Sequence, residues 1–344
     1  VVGRLGGRRA PPETVTRAAV GLALSGRYAE PATQAARGLE AWARHRGLHL
    51  DVVDTGDDVE QVERTYRGLA RSAGLLFGPY GSGPLRAAER ALAGGDEVLW
   101  NHGGAAGDAS RPARVIDVLG PAERYWAGLG SYLGRRGVPR DRVGILYADT
   151  GFGRATMGGA VASLRAVGVE PLVVRAFGGS VEAAVADVLR AGAAALIGCG
   201  RMEDDLALLA AAGPGVAVGA VVCGVGLARR ALGAQIVGRF GPAQWLPRSG
   251  GPLPAGAEYP AAQAYAAGQV CQAALERAGS DAPRARWDAA RSLRIDTVIG
   301  PFRVDAQGRQ LAHAPLLVEW VPTPGGPERR AVWRPADTGT ALAD

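Results

Sequence analysis

The sequence predicts an α/β protein of two Rossmann-like lobes, each a parallel sheet covered by helices, with a ligand cleft between them. Three observations carry this. Short apolar runs alternate with stretches of helical spacing from residue 15 onward, the pattern of a parallel sheet covered on both faces. The alternation restarts after Pro121, so there are two successive α/β units rather than one long sheet. The 344 residues suit two domains of roughly 150 residues each.

The elements follow in order. Residues 15–24 form the first strand, ending in the turn Ser25-Gly26-Arg27-Tyr28. A helix over 32–46 carries Ala35, Leu39 and Trp42 at helical spacing and stops at Gly47. Residues 48–54 are the second strand. Asp57 and Asp58 sit where helix N-caps sit, ahead of a helix over 59–73. A short buried strand, 74–77, leads through the loop 78–82 to a helix over 85–93 and a strand over 97–100. In the second unit, a helix over 122–136 precedes strand 143–147, loop 148–153 and helix 155–167. Strand 171–177, helix 181–191, strand 193–199, helix 204–212 and strand 216–223 complete it. The Pro/Gly-rich segment 241–256 reads as a crossing between lobes. A helix over 261–278 follows. Residues 300–305 and 315–320 read as a hairpin turning at 305–308. The domain expectation is a first lobe of 15–120 with 250–315, a second of 121–249 with 316–335, and tails at 1–14 and 336–344.

Composition excludes several classes. The chain carries a net charge of +6, and all 39 basic residues are arginine, spread without a run of five. A nucleic-acid surface shows clustering or aromatic interleaving, so none is expected. No apolar run reaches the ~18 residues of a membrane span. No signal segment is legible in the Gly/Arg/Pro-rich opening, which reads as a linker or tail; that does not make the location cytoplasmic. Cys199, Cys223 and Cys271 fit neither a disulfide scaffold nor a zinc site and read as buried free thiols, with a bridge between Cys199 and Cys223 left open.

The catalytic motifs fail one by one. Gly198-Cys199-Gly200 lacks the later glycine of a dinucleotide fingerprint, and a P-loop needs a lysine. Gly81-Ser82-Gly83 is no nucleophile elbow, and His102-Gly103-Gly104 has no paired acid. His45, His49 and His313 read as solvent-facing. The pairs Asp57/Asp58 and Asp204/Asp205 fall at helix starts, where caps and dipole partners belong. No catalytic residue, metal or cofactor is expected.

What remains is the set of loops at strand carboxyl ends, where α/β sheets bind ligands. They are 25–31, 78–82 and 101–105 in the first unit, and 149–153, 200–202 and 224–226 in the second. If the two sheet edges face one another, these loops line one cleft that closes by hinge motion. Asn101, His102, Gly103, Gly104 and Ala105 end a buried strand there; His102 reads equally as pocket wall or structural histidine. Tyr28, Tyr80, Phe152 and Tyr259, with Trp100, supply aromatic walls or core.

These residues resemble a known family. Ser25-Gly26 after the first strand, Gly78-Pro79 with Ser82, and Asp149 with Phe152-Gly153 are similar to segments of the Leu/Ile/Val-binding family of type I periplasmic binding proteins. So are Tyr265-Ala266-Ala267-Gly268-Gln269 and the run 296–302. The resemblance spans about 15–320. It implies two lobes joined by three crossings, an extracytoplasmic location, no catalysis, and delivery of a small-molecule ligand to an ABC transporter permease. It places Ser82, Gly103 and Ala105 at ligand-carboxylate positions, Phe152 at a pocket tyrosine, Arg201 at a second tyrosine, and Val225 at an acid that holds an α-ammonium group. Val225 cannot hold an ammonium group, whereas Arg201 offers a bidentate grip on a carboxylate. The expected ligand is therefore a small carboxylate or planar polar molecule without a free ammonium. Arg201 paired with Glu203 or Asp204 at the surface is the competing reading. Two other functions stay open. One is a sensor module of the same fold, which a kinase or transmembrane segment in the full-length gene would favour over the lipid anchor of a transport protein. The other is an amidohydrolase-type enzyme, which turnover would favour.

Overall fold

The computed structural model describes residues 17–106, 111–247 and 250–335. The expected tails and the first two residues of the first expected strand lie outside these. The first unit runs β1 (Arg17–Leu22), α1 (Ala29–Arg46), β2 (His49–Asp54), α2 (Val59–Leu69), β3 (Leu75–Phe77), α3 (Ser82–Ala91), β4 (Val98–Asn101) and β5 (Arg114–Asp117). Its strands form an all-parallel sheet in the order β2-β1-β3-β4-β5. The second runs α4 (Leu129–Arg135), β6 (Val143–Tyr147), α5 (Gly151–Arg165), β7 (Val173–Ala176), α6 (Val181–Arg190), β8 (Ala195–Cys199), α7 (Met202–Ala211), β9 (Ala217–Ala220), α8 (Leu227–Leu232) and β10 (Phe240–Ala243). Then come α9 (Tyr259–Ala278), α10 (Pro283–Ser292), β11 (Ile295–Thr297), β12 (Gly300–Phe302), β13 (Leu316–Val321) and β14 (Glu328–Trp333).

The second sheet has the order β14-β13-β10-β9-β8-β6-β7. Its parallel part, β7-β6-β8-β9-β10, repeats the strand order of the first sheet, and β13 and β14 extend it antiparallel. Each sheet is covered on both faces, which is why strands such as β1 and β8 are buried along nearly their whole length. Trp42, Phe77 and Trp100 fill one side of the first sheet with α9 and α10; Val62, Tyr66 and Leu85 fill the other. Trp126, Phe240 and Trp333 fill one side of the second, and Leu146, Leu196 and Trp320 the other. So the chain returns to the first lobe for α9 and α10 and ends in the second. The return is tight: a Cβ on Gly38 of α1 would stand 2.1 Å from the Ala261 carbonyl oxygen of α9.

Side-chain caps fix the starts of α2 and α5, and the second of these helices carries a cleft loop. Asp58 accepts from the Glu60 N–H at 2.9 Å, and Thr150 from the Gly153 N–H at 3.1 Å. Gly47 ends α1 at φ 65°, the left-handed region that favours glycine.

Several expectations need correction. Residues 300–305 and 315–320 are not paired strands. β12 pairs with β11 across a two-residue turn, and β13 pairs with β10 and β14. The turn at 305–308 exists, with the Gly308 N–H donating to the Asp305 carbonyl, but it brings Val304 to Gln310 and the chain then crosses to the other sheet. The segment 241–256 is only partly a crossing, because β10 occupies its start. The helix expected over 122–136 is a short 3₁₀ turn at 122–124 followed by α4. Gly128 sits between them, where a Cβ would meet the Trp333 ring at 2.1 Å. The strand expected to Cys223 ends at Ala220 and turns into a 3₁₀ segment. His313 does not face solvent: it is 3% exposed, with Nε2 2.8 Å from the Gln244 Oε1. The three cysteines are free and buried, and burial pushes each thiol up.

Candidate functional site

A cavity of about 310 Å³ lies where the carboxyl ends of the two parallel sheets face each other. The first lobe contributes Arg27 and Tyr28 after β1, Tyr80 and Ser82 after β3, and Gly103 and Ala105 after β4. The second contributes Thr150, Gly151 and Phe152 after β6, Gly200, Arg201 and Met202 after β8, and Val221, Val222 and Val225 after β9. Tyr125, Glu258 and Tyr259 line it as well.

The walls are aromatic. Tyr28 and Tyr80 meet edge to face at 6.4 Å, and Tyr125 and Phe152 at 5.5 Å. The hydroxyls of Tyr80 and Tyr259 stand close enough to influence each other's ionisation. Burial raises the pKa of Tyr28, Tyr80, Tyr125 and Tyr259, so all four are neutral hydroxyls near neutral pH.

Asn101, His102 and Gly104 do not line the cavity; they build its floor from behind. Asn101 Nδ2 donates to the Gly104 carbonyl at 2.7 Å and to Asp117 at 2.6 Å, and its Oδ1 accepts from the Gly103 and Gly104 N–H groups. That amide folds the 103–105 loop. Gly104 leaves room for Leu85, which a Cβ would meet at 2.4 Å. His102 is fully buried, and burial pushes its pKa down to about 4. Ser82 does line the cavity, and its Oγ accepts from the Ala106 N–H at 3.1 Å, which leaves the O–H to donate.

Arg27, Arg86, Arg201, Glu30, Glu203, Asp205 and Glu258 are the charged groups on the wall, and Arg86 is half-buried. Arg201 is exposed; its backbone N–H donates to Asp204 at 3.1 Å as the first residue of the α7 cap. Arg27 is exposed at the rim of the first lobe. Three of the acids are occupied. Glu30 pairs with Arg230 of the other lobe. Glu258 pairs with Arg329 at 2.7 Å, both largely buried. Asp205, 1% exposed, accepts from the Gly200 N–H at 2.8 Å and the Val222 N–H at 3.1 Å. Glu203 is exposed. Sequence reasoning missed Tyr125, Asp205 and Glu258. Asp205 was legible only as a helix-start acid, yet glycines at 198 and 200 make its niche: a Cβ at either would come within 2.9 Å of Oδ1.

Solved structures of the same fold cover nearly the whole chain. A solute-binding protein of an ABC transporter from R. palustris, in complex with 4-hydroxybenzoate, superposes with a TM-score of 0.79 at 14% identity, covering 92% of this chain and 96% of its own. A leucine-binding protein from Thermotoga maritima gives 0.79 at 16% identity, covering 94% of this chain and 100% of its own. A solute-binding protein from Rhodopseudomonas palustris HaA2 in complex with p-hydroxybenzoic acid gives 0.80 at 15% identity, covering 95% and 99%. No curated protein matches the sequence. The family model described as periplasmic binding protein matches residues 16–327, and with two lobes, three crossings and a cleft at the facing sheet edges, the chain belongs to that family.

Proposed function

We propose that the protein is the extracytoplasmic solute-binding component of an ABC importer, and that its cleft captures a small planar carboxylate lacking an α-ammonium group, an aromatic acid above all. The observation that carries the ligand class is the occupation of three of the wall acids. Glu30, Glu258 and Asp205 already hold Arg230, Arg329 and two backbone N–H groups. Val225 is apolar. An ammonium group in this cavity would find a carboxylate only at the exposed Glu203, and buried away from it the unpaired charge is costly. A carboxylate has donors: the Ser82 hydroxyl from the first lobe, and Arg201 from the second. Tyr28, Tyr80, Tyr125, Phe152 and Tyr259 provide flat apolar faces and neutral hydroxyls for a ring. Two of the structural relatives described above hold 4-hydroxybenzoate, which supports this reading, while a third binds leucine. The lobes are 15–120 with 250–315 and 121–249 with 316–335, and the partner is the membrane permease.

Titration calorimetry tests it. The panel is 4-hydroxybenzoate, benzoate, and the matched pair phenylalanine and 3-phenylpropionate. The acids without an ammonium group are expected to bind more tightly than phenylalanine. A charge-assisted hydrogen bond contributes ~1.5–3 kcal/mol, so Arg201→Ala should weaken their binding roughly ten- to a hundred-fold. Tighter binding of phenylalanine, or an Arg201→Ala protein that binds as wild type, would sink the proposal.

A further inference from the structure

The chain crosses between the lobes three times: at 118–121 after β5, between β10 of the second sheet and α9 packed on the first, and at 305–315 ahead of β13. Each crossing contributes one group to a single buried cluster. Gln244, 1% exposed, stands directly after β10 on the second crossing. Its Oε1 accepts from the Gly120 N–H of the first crossing at 3.1 Å, and its Nε2 donates to the Gly120 carbonyl at 3.2 Å. Oε1 also accepts from the third crossing, from Nε2–H of His313 at 2.8 Å; an amide oxygen has no proton, so the histidine is the donor. The strands are pressed together there: a Cβ on Gly120 would stand 3.1 Å from both the His313 carbonyl oxygen and Pro315. The Tyr125 hydroxyl lies beside the same amide, and the Tyr125 ring lines the ligand cavity and meets Phe152 at 5.5 Å.

We propose that Gln244 is the positioning residue of the hinge: one buried amide that ties all three crossings together and fixes the cavity-wall residue Tyr125 to them, so that the angle between the lobes and the shape of the ligand wall change together. The inference follows from hydrogen-bond accounting. A rotation of one lobe against the other must twist the three crossings relative to one another. Each of them is bonded to Gln244, and an unmet bond on a buried polar group is costly, so the cluster restricts the twist to arrangements that keep those bonds. Two further bonds, Gln310 Nε2 to the Val118 carbonyl at 2.9 Å and the Asp117 N–H to the Gly308 carbonyl at 2.8 Å, join the first and third crossings; Gln244 brings in the second. Tyr125 sits five residues beyond Gly120, at the mouth of the same crossing. Movement of its ring therefore reaches the hinge through the neighbouring Gln244 amide.

The test needs no ligand, so its failure and the failure of the ligand reading are separate events. Spin labels at Arg64→Cys on α2 and Arg190→Cys on α6, both exposed and one on each lobe, report the interlobe distance; the three native thiols are buried. In the ligand-free protein Gln244→Ala is expected to widen the distance distribution toward longer separations. Tyr125→Phe, which removes only the hydroxyl, should widen it in the same direction by less. Val62→Ala opens a cavity under α2, far from the crossings, and should lower the melting temperature without widening the distribution. A folded Gln244→Ala with the wild-type width, or a Val62→Ala that widens as much, overturns the proposal. If Gln244→Ala does not fold, Tyr125→Phe decides: the wild-type width there overturns it equally.

Discussion

At Asp205 the fold holds a carboxylate out of water against the backbone N–H groups of Gly200 and Val222. Burial raises its pKa from the ordinary 3.8 to about 7, although those donors pull the other way. The desolvation therefore outweighs the hydrogen bonds. A raised folded-state pKa means that the folded chain binds more protons than the unfolded one between these two values. The stability tied to this group is full below pH 3.8 and is lost as pH rises through about 7. Asp205→Asn cannot titrate. As pH rises from about 4 to about 7 we expect the melting temperature of wild type to lose ground steadily against that of the variant, whatever the absolute levels, since each pKa unit carries ~1.4 kcal/mol. Parallel melting profiles for the two proteins across that range would refute the assignment. His102 and His313 act in the opposite sense over an overlapping window: burial pushes both down to about 4, so their contribution is lost as pH falls below 6.5. Both histidines are present in the variant too, so their contribution cancels in the comparison.

Among the elements, the caps are the cleanest case of local chemistry placing a helix. Asp58 is exposed to solvent and accepts one N–H from α2, so Asp58→Ala should cost ~1 kcal/mol in denaturant unfolding and leave the cleft unaltered. No measurable loss would mean that the cap is made by solvent instead. The same punctuation made most of the architecture legible: Gly47, Asp58 and the alternation of apolar runs mark α1, β2, α2 and β3, and the restart at Pro121 marks the second unit. What escaped has physical reasons. β10 reads Phe-Gly-Pro-Ala, which looks like a linker. Its Pro242 is tolerated because the ladder to β9 spans only Phe240 and Gly219, so no sheet N–H is demanded of it on that side. α10 has four charged residues in ten, and its apolar buried face rests on Trp287, Ala289 and Ala290, too few positions for a period to stand out. β14 is an edge strand with arginines at successive positions. In the site, the loops were legible because α/β sheets present them at strand carboxyl ends. The division of 101–105 into wall and floor was not, because it depends on the long-range bond from Asn101 to Asp117.

For the whole molecule, the balance between the two lobes rests on contacts that span the cleft, and two ion pairs do so with very different surroundings. Glu30 of α1 meets Arg230 of α8 with the two side chains 38% and 56% exposed. Glu258, at the start of α9, meets Arg329 of β14 at 16% and 9%. Water and salt screen the first, and such exposed pairs contribute little, ~0–1 kcal/mol. The second is desolvated, and Arg329 also lies over the Trp320 ring at 5.3 Å and donates to the Gly224 carbonyl beside the cavity. Removing it strands a buried carboxylate and a buried carbonyl together, for which breaking one partner of a buried pair costs ~3–5 kcal/mol. Arg329→Ala is therefore expected to lower the melting temperature far more than Arg230→Ala. Adding salt should narrow the small effect of Arg230→Ala and leave that of Arg329→Ala nearly intact. Equal losses in the two variants, or a salt-sensitive Arg329→Ala, would mean that the inner pair is hydrated and that the lobes are held by the packing of α9 against α1 rather than by this contact.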